Sequence, residues 1–258
     1  MSDDEPLVLT EDRDRVPVFT LNRPKQKNAV NEALSRHMAG LMDAFDADPN
    51  VSVGVLTGAG GTFCAGMDLK AFLTGESPFV PGRGFGGLTE RPPDKPLIAA
   101  IEGYALAGGL EVALACDILV AADDAKLGIP EVKRSLVAAA GAAIRLPKRI
   151  PYHLAMEMAL TGDFYPASRC AELGLVNRVT EKGAALETAL SLASQIAKNG
   201  PLALVATKRV MRGATTGWTE AEAWAEQRKI VDPVFASEDA KEGAAAFAEK
   251  REPVWRGR

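Results

Sequence analysis

Histidine, cysteine and aromatic residues are scarce in this chain of 258 residues, which holds two His, three Cys and 6% Phe, Trp and Tyr. Both histidines, His37 and His153, fall on segments of helical periodicity away from any glycine turn. Neither is placed to act as a catalytic base, so Cys64 has no activating partner and cysteine-dependent hydrolysis is not expected. Cys64, Cys116 and Cys170 are an odd number, widely spaced and set among apolar or small residues. That pattern excludes a disulfide framework and points to a reducing cytoplasm. No apolar run reaches membrane-spanning length. The opening MSDDEPLVLTEDRDR has neither the apolar core of a signal peptide nor the Arg/Ser-rich pattern of a transit segment. A protein that stays in the cytoplasm, with no membrane partner, is the expectation. Net charge is −4 and no run of Lys or Arg is dense enough for a continuous positive stripe, so nucleic acid is not an expected partner either. The GAGG stretch at 58–61 lacks the G-x-G-x-x-G spacing and the acidic residue that a dinucleotide loop needs.

What is present is an ordinary globular composition, 47% hydrophobic and 25% charged, at a length that fits one large α/β domain or a main domain with an appendage. Residues 7–21 read as a hairpin, with alternating apolar residues on either side of a charged turn. Asn31 is a candidate cap for a helix with Leu34, Met38, Leu41, Met42 and Phe45 at helical spacing, ending near Asp48-Pro49-Asn50. VGVLTGAG at 53–60 and PLIAAIEG at 96–103 are β-branched or apolar runs that end in glycine, the pattern of strands buried on both faces. A short helix, LEVALACD, and further strands in ILVAADDAKLGIP follow. The glycine- and proline-rich stretch 73–96 reads as a long mobile loop and is expected to serve as a substrate-side lid. From about Ala184 onward strand signals vanish. Helices are expected at 184–198, 201–212, 219–231 and near 237–250, with starts marked by Pro201, Thr219 and Ser237. The division expected is an α/β core over 1–183 and a helical region over 184–258.

Two glycine-ended strands bring small residues, Ala65-Gly66 and Ala107-Gly108-Gly109, to turns where backbone N–H groups can approach a ligand. Such a pair of N–H groups can stabilise an oxyanion. The same residues would also serve if tight turns were all the fold required. Glu111 lies in the first turn of the helix that Gly108-Gly109 opens, and Glu131 follows Pro130 on the next loop. Two carboxylates facing one cavity push their pKa values apart and divide acid from base. A glutamate at a helix start is also a common dipole partner, and both readings stand on the residues alone.

The segments LNRPKQKNAVN, TGAGGTFCAGMDLK, IEGYALAGGLEVALACDILVAADDAKLGIPEVK and FAEKREPVW, in this order and spacing, resemble the successive signatures of the enoyl-CoA hydratase/isomerase (crotonase) superfamily. The likeness covers nearly the whole chain. It implies an α/β spiral of ββα units followed by a C-terminal helical trimerisation region, assembled as a trimer or as a hexamer made of two trimers. It also implies an acyl-CoA thioester as substrate, with no metal and no permanently bound cofactor. By resemblance, Ala65 and Gly108 give the oxyanion N–H groups, and Glu111 and Glu131 hold the water that adds to a trans-2-enoyl thioester. Lys25 would lie along the CoA channel, lined by Ala65, Gly66, Met67 and Asp68. Lys70 is a further candidate, although a solvated surface lysine would look the same. Phe247 and Lys250 match positions that touch the adenine end of CoA on a neighbouring subunit, although Phe247 also suits the apolar face of the last helix.

One departure bears on substrate. Related short-chain hydratases often carry Pro-Gly-x-Gly-Gly after the second glutamate, where this chain has Val137-Ala138-Ala139-Ala140-Gly141. Two glutamates favour hydration over isomerisation, which generally needs one base. An isomerase, a carnitinyl-CoA-type hydratase and a non-catalytic CoA-binding trimer are the competing readings.

Overall fold

The computed structural model describes residues 5–258. The first four residues of the acidic opening, on which the expectation of no targeting segment partly rests, lie outside the described residues. Val8–Arg13 (β1) and Val16–Leu21 (β2) pair as the expected hairpin. Asp14 and Arg15 turn it with φ of 55° and 65°, the left-handed pair that matches strand twist in a tight hairpin. Asn31 caps Glu32–Ala47 (α1) by accepting the Leu34 N–H at 3.1 Å, a contact worth about 1 kcal/mol over alanine. Leu34, Met38, Met42 and Phe45 are buried beneath it.

Gly54–Gly58 (β3) is followed by the short helix Leu69–Leu73 (α2) and a ribbon of Phe79–Val80 (β4) with Gly84–Phe85 (β5). Next come Leu97–Ile101 (β6), Tyr104–Leu106 (β7) and Gly108–Ala115 (α3), then Ile118–Ala122 (β8), Lys126–Gly128 (β9) and a 3-10 turn at Pro130–Arg134. Ala142–Arg149 (α4), Tyr152–Thr161 (α5), Tyr165–Pro166 (β10), Ala167–Glu172 (α6) and Arg178–Thr180 (β11) fill a stretch that the sequence reading leaves unassigned. One sheet runs β1-β2-β3-β6-β8-β11 and is parallel from β2 onward; a smaller one runs β10-β9-β7. The β6–β7 and β8–β9 repeats give their first strand to the large sheet and their second to the small one, and Cys64 after β3 bridges Ala105 of β7 in the same sense, in keeping with the expected spiral of ββα units.

Period-two alternation splits the large sheet's side chains between two cores. Leu56, Leu97, Ala99, Ile101 and Leu119 face the small sheet, α1 and α3. Val55, Ile98 and Val120 face Ala185–Ala197 (α7), which lays Ala185, Ala189, Leu190 and Ala193 across them. The last three helices are Pro201–Thr216 (α8), Glu220–Phe235 (α9) and Glu238–Glu249 (α10). α9 outruns its expected end at 231 and continues through Pro233. Thr219 and Glu222 form a capping box at its start. α8 is tied to the core by Lys208, which donates to Asp117 at 2.6 Å and to the Lys95 carbonyl at 2.9 Å.

The 73–96 stretch corrects the expectation of a mobile lid. Residues 83–89 are buried throughout, Phe85 and Leu88 join the main core, and Arg83 pairs with Asp43 of α1. Lys95 donates to the Phe45 carbonyl at 2.7 Å. Gly87, at φ 74°, comes so near α1 that a Cβ would stand 2.6 Å from Ala39 N. Glycine and proline limit the hydrogen-bond ladder here to the short β4–β5 ribbon, and burial against α1 is what fixes residues 83–89.

Candidate active site

Three turns leave three neighbouring parallel segments at the same end. Cys64 bridges Ala105 of β7, and β7 pairs with β9 so that Ala105 lies opposite Leu127 and Leu106 opposite Gly128. The spacing of paired strands, about 4.8 Å, thus sets side by side the turns at 65–67, 107–108 and 129–131. Sites in α/β sheets form beyond the carboxyl ends of parallel strands, and these turns occupy that place. The first two touch: a Cβ on Gly66 would stand 2.8 Å from the Ala107 Cβ and 3.3 Å from Gly108 N.

Which N–H groups remain free follows from the backbone bonds. Ala65 N–H donates to the Lys27 carbonyl at 3.0 Å and Asp68 N–H to Val30 at 2.9 Å, while Gly66 N–H reaches Cys64 Sγ at 3.4 Å. The donor expected from Ala65 is therefore already used. Met67 N–H is the one in 65–68 without an acceptor among the described residues. Gly108 N–H, at the start of α3, is likewise without one. Ala107 holds that turn at φ 53° and ψ −129°, a conformation L-residues rarely adopt, pinned by its N–H to the Gly128 carbonyl at 2.9 Å.

Glu111 is 3% exposed. Its Oε1 accepts from Ala140 N–H at 2.7 Å and Ala142 N–H at 3.0 Å. Burial raises its pKa above the ordinary carboxylate range, while the Ala142 and Ala140 N–H groups and the Arg145 charge act in the opposite direction. Glu131 is pushed up to about 7 by burial and also by the negative charge of Glu111. Its Oε2 is buried with no hydrogen-bond partner among the described residues, an arrangement that otherwise costs a protein about 1–3 kcal/mol. Glu131 thus senses the charge of Glu111; Glu111 Oε1 is held by two backbone donors, whereas Glu131 Oε2 is without a partner among the described residues.

The raised Glu131 pKa has a consequence for stability. The folded protein keeps this proton up to about pH 7, whereas the unfolded chain releases it in the ordinary carboxylate range. Stability is thus lost as pH rises between the two values. Glu131→Gln is expected to raise the melting temperature at pH 8 by more than it does at pH 4.5, as read by calorimetry. An equal change at both pH values would contradict the raised pKa.

The predicted CoA-channel residues divide. Lys25 is exposed on the 3-10 turn Pro24–Gln26, which the Ala65 and Lys27 bond joins to the 65–68 segment. Lys27, which no motif in the sequence singles out, extends over the Tyr104 ring at 5.1 Å. Lys70 is exposed on α2. Asp68 caps α2 through the Lys70 and Ala71 N–H groups and pairs with Arg23 at 2.9 Å. Burial opposes its ionisation, but Arg23 and those N–H groups outweigh burial and hold the carboxyl below its usual range. Phe247 and Lys250 lie at the end of α10, which packs on α9, and within one chain no hydrogen bond or ion pair ties them to the three turns. Phe247 is 88% exposed and so does not pack as the buried face of its helix.

The family model described as enoyl-CoA hydratase/isomerase matches residues 11–258. The chain belongs to the enoyl-CoA hydratase/isomerase family. It is 44% identical over 261 residues to an enoyl-CoA hydratase of Mycobacterium tuberculosis, covering 98% of this chain and 97% of that protein. It is also 44% identical over 249 residues to a carnitinyl-CoA dehydratase of Escherichia coli, covering 93% and 94%. A crystal structure of an enoyl-CoA hydratase from M. tuberculosis superposes with a TM-score of 0.95 at 61% identity over 98% of this chain and 100% of that one.

In the 138–142 segment, Ala140 and Ala142 present N–H groups to Glu111. Gly141 between them takes φ 118°, the conformation that a side chain would resist. Among the described residues, no group of three or more His, Cys, Asp or Glu is arranged to hold a metal ion. No described helix is long and apolar enough to cross a membrane.

Proposed function

We propose that this protein is an enoyl-CoA hydratase acting by syn addition of water to a trans-2-enoyl-CoA thioester. The observation that carries the reading is the pairing of Glu111, its Oε1 fixed by two N–H donors, with Glu131, whose proton is retained to about pH 7. With one carboxyl fixed on backbone donors and the other keeping its proton to about pH 7, the pair can divide the roles of base and acid. A water held between them loses a proton to Glu111 as its oxygen bonds to the β-carbon. The thioester oxygen gathers the resulting enolate charge, and the free Met67 and Gly108 N–H groups are the donors assigned to it in place of Ala65. Glu131 then delivers its proton to the α-carbon. The product is a 3-hydroxyacyl thioester, and the two carboxyls have exchanged protonation states, which a replacement water restores.

Coenzyme A is the proposed carrier, its phosphates met by Lys25 and Lys27, with Lys70 as an outer contact. The exposed Phe247 and the apolar groove between α8, α9 and α10, lined by Leu202, Met211, Val231 and Phe235, support a homotrimer or a hexamer of two trimers. In such an assembly Phe247 and Lys250 would reach the CoA of a neighbouring subunit. The boundary of this assembly region is proposed near 184. The three cysteines are buried and free, which supports a cytoplasmic location.

The carnitinyl-CoA dehydratase relative supports a second reading of the same chemistry, run on a carnitinyl-type thioester. Loss of enoyl-thioester absorbance with crotonyl-CoA, longer and branched enoyl-CoAs and crotonobetainyl-CoA, with products separated by chromatography, tests both. The hydratase reading expects 3-hydroxyacyl-CoA. A shifted double bond instead would mean isomerisation, and binding of every thioester without turnover would mean a scaffold.

A further inference from the structure

We infer that Arg145 is a positioning residue whose guanidinium fixes the turn that holds Glu111 and supplies that carboxylate's countercharge. Arg145 sits in the first turn of α4, its N–H bonded to the Gly141 carbonyl at 2.9 Å. The side chain folds back over the same turn. Nη1 donates to the Ala140 carbonyl at 3.5 Å, and Nη2 donates to the Thr89 carbonyl. A Cβ on Gly141 would stand 3.1 Å from Arg145 Cζ, so the absence of a side chain at 141 is what lets the guanidinium lie flat on the turn. Ala140 therefore gives its N–H to Glu111 and its carbonyl to Arg145, and a movement of the guanidinium is transmitted to the Glu111 carboxylate through one residue.

The second tie runs to the packed 83–89 segment. Thr89 ends it, and Phe85 within it lies against the oxyanion turn, where a Cβ on Gly108 would stand 2.5 Å from the Phe85 ring. Arg145 thus joins the 83–89 segment to the turn that holds Glu111. Both of its hydrogen bonds go to neutral carbonyls, which leaves its charge uncompensated by any bonded carboxylate.

Three charged groups bear on the pair from nearby: Glu131 acts on Glu111 from the 3-10 turn, Arg134 of the same turn acts on Glu131, and Arg145 acts on Glu111 from α4. Around Arg145 stand Arg149 of the same helix, Arg212 of α8, Cys116 and Glu111. Burial and the two arginines bring Arg145 down to about 10, so it remains a cation at neutral pH. That charge draws the Glu111 pKa down against burial, in the same direction as the Ala142 and Ala140 N–H groups.

The inference rests on the hydration reading for what Glu111 does, but its test does not. Infrared titration of the buried carboxyl band, assigned with Glu111→Gln, follows Glu111 directly in Arg145→Gln and Arg145→Lys. Arg145→Gln is expected to move the Glu111 titration, and the acid limb of kcat/KM, upward by about 1 pH unit. Arg145→Lys keeps the charge but loses the fork. It should leave the limb in place while lowering kcat about tenfold, with KM within about twofold. A Glu111 titration unmoved in folded Arg145→Gln overturns the inference. If that variant does not fold, an Arg145→Lys enzyme with native kcat overturns it instead. Should the native enzyme turn over no enoyl thioester, the hydratase reading fails while the infrared result still decides the role of Arg145.

Discussion

Glu111→Gln is expected to lower kcat for the preferred enoyl-CoA by about 10³-fold, the middle of the range seen when a positioned acid or base is removed. KM should change little, because the amide is nearly isosteric and thioester binding is assigned to the N–H pair and the CoA channel. The Glu111 carboxyl is fixed in place by two donors, the Ala140 and Ala142 N–H groups, both pointed at Oε1. Glutamine can still offer its carbonyl to them, so the fold is retained, but it cannot take a proton from water. Glu131→Gln should lose a similar factor for a different reason. Its buried Oε2 has no partner, and the amide replaces a titrating proton with two fixed ones. The double variant should fall little below either single one, since the carboxyls act as a unit on one water. Steady-state rates from thioester absorbance decide this. A loss below tenfold in either single variant would remove that carboxyl from the chemistry.

Gly109→Ala is expected to be the most destabilising single methyl in the site, costing at or above the usual ~1–3 kcal/mol of an overpacked core. A Cβ there would stand 2.8 Å from the Cys64 carbonyl carbon, and the obstacle is backbone, which cannot rotate aside. Relief requires the start of α3 and the Cys64 segment to part, yet these carry the Gly108 and Met67 N–H groups. Denaturant unfolding should therefore show a lowered midpoint, and kcat should fall together with it. Gly75→Ala provides a contrast, since nothing lies within 4 Å of a Cβ there; its φ of 91° makes it cost strain alone. A Gly109→Ala protein with native midpoint and native kcat would show that the two segments are free to separate.

Much of this was legible in the residues. Strands that end in glycine, the Asn31 cap and the start of α3 at Gly108 are local signals, and Glu111 follows from its place three residues into that helix. The choice of Met67 over Ala65 was not legible. Both N–H groups belong to the same short turn, and only the long-range bonds to Lys27 and Val30 determine which remains free. The 73–96 stretch misled for a related reason: composition reported the lack of a ladder, while the Arg83 pairing with Asp43 and the Lys95 bond to Phe45 fix its burial. Arg145 carried no signal either, because its tie to Thr89 spans 56 residues.

The pairing of Cys64 with Ala105 and of β7 with β9 also sets how this protein can change length. Each functional turn is placed by strand register, and a register step of one residue moves a turn by about 3.3 Å and reverses which side its neighbours face. Insertions between one repeat and the next, such as beyond Ala115 or Arg134, leave all three turns level. A single residue gained or lost between Leu97 and Gly108 does not. Length variation compatible with activity is therefore confined to the joints between repeats, and the interior of each repeat behaves as a fixed ruler.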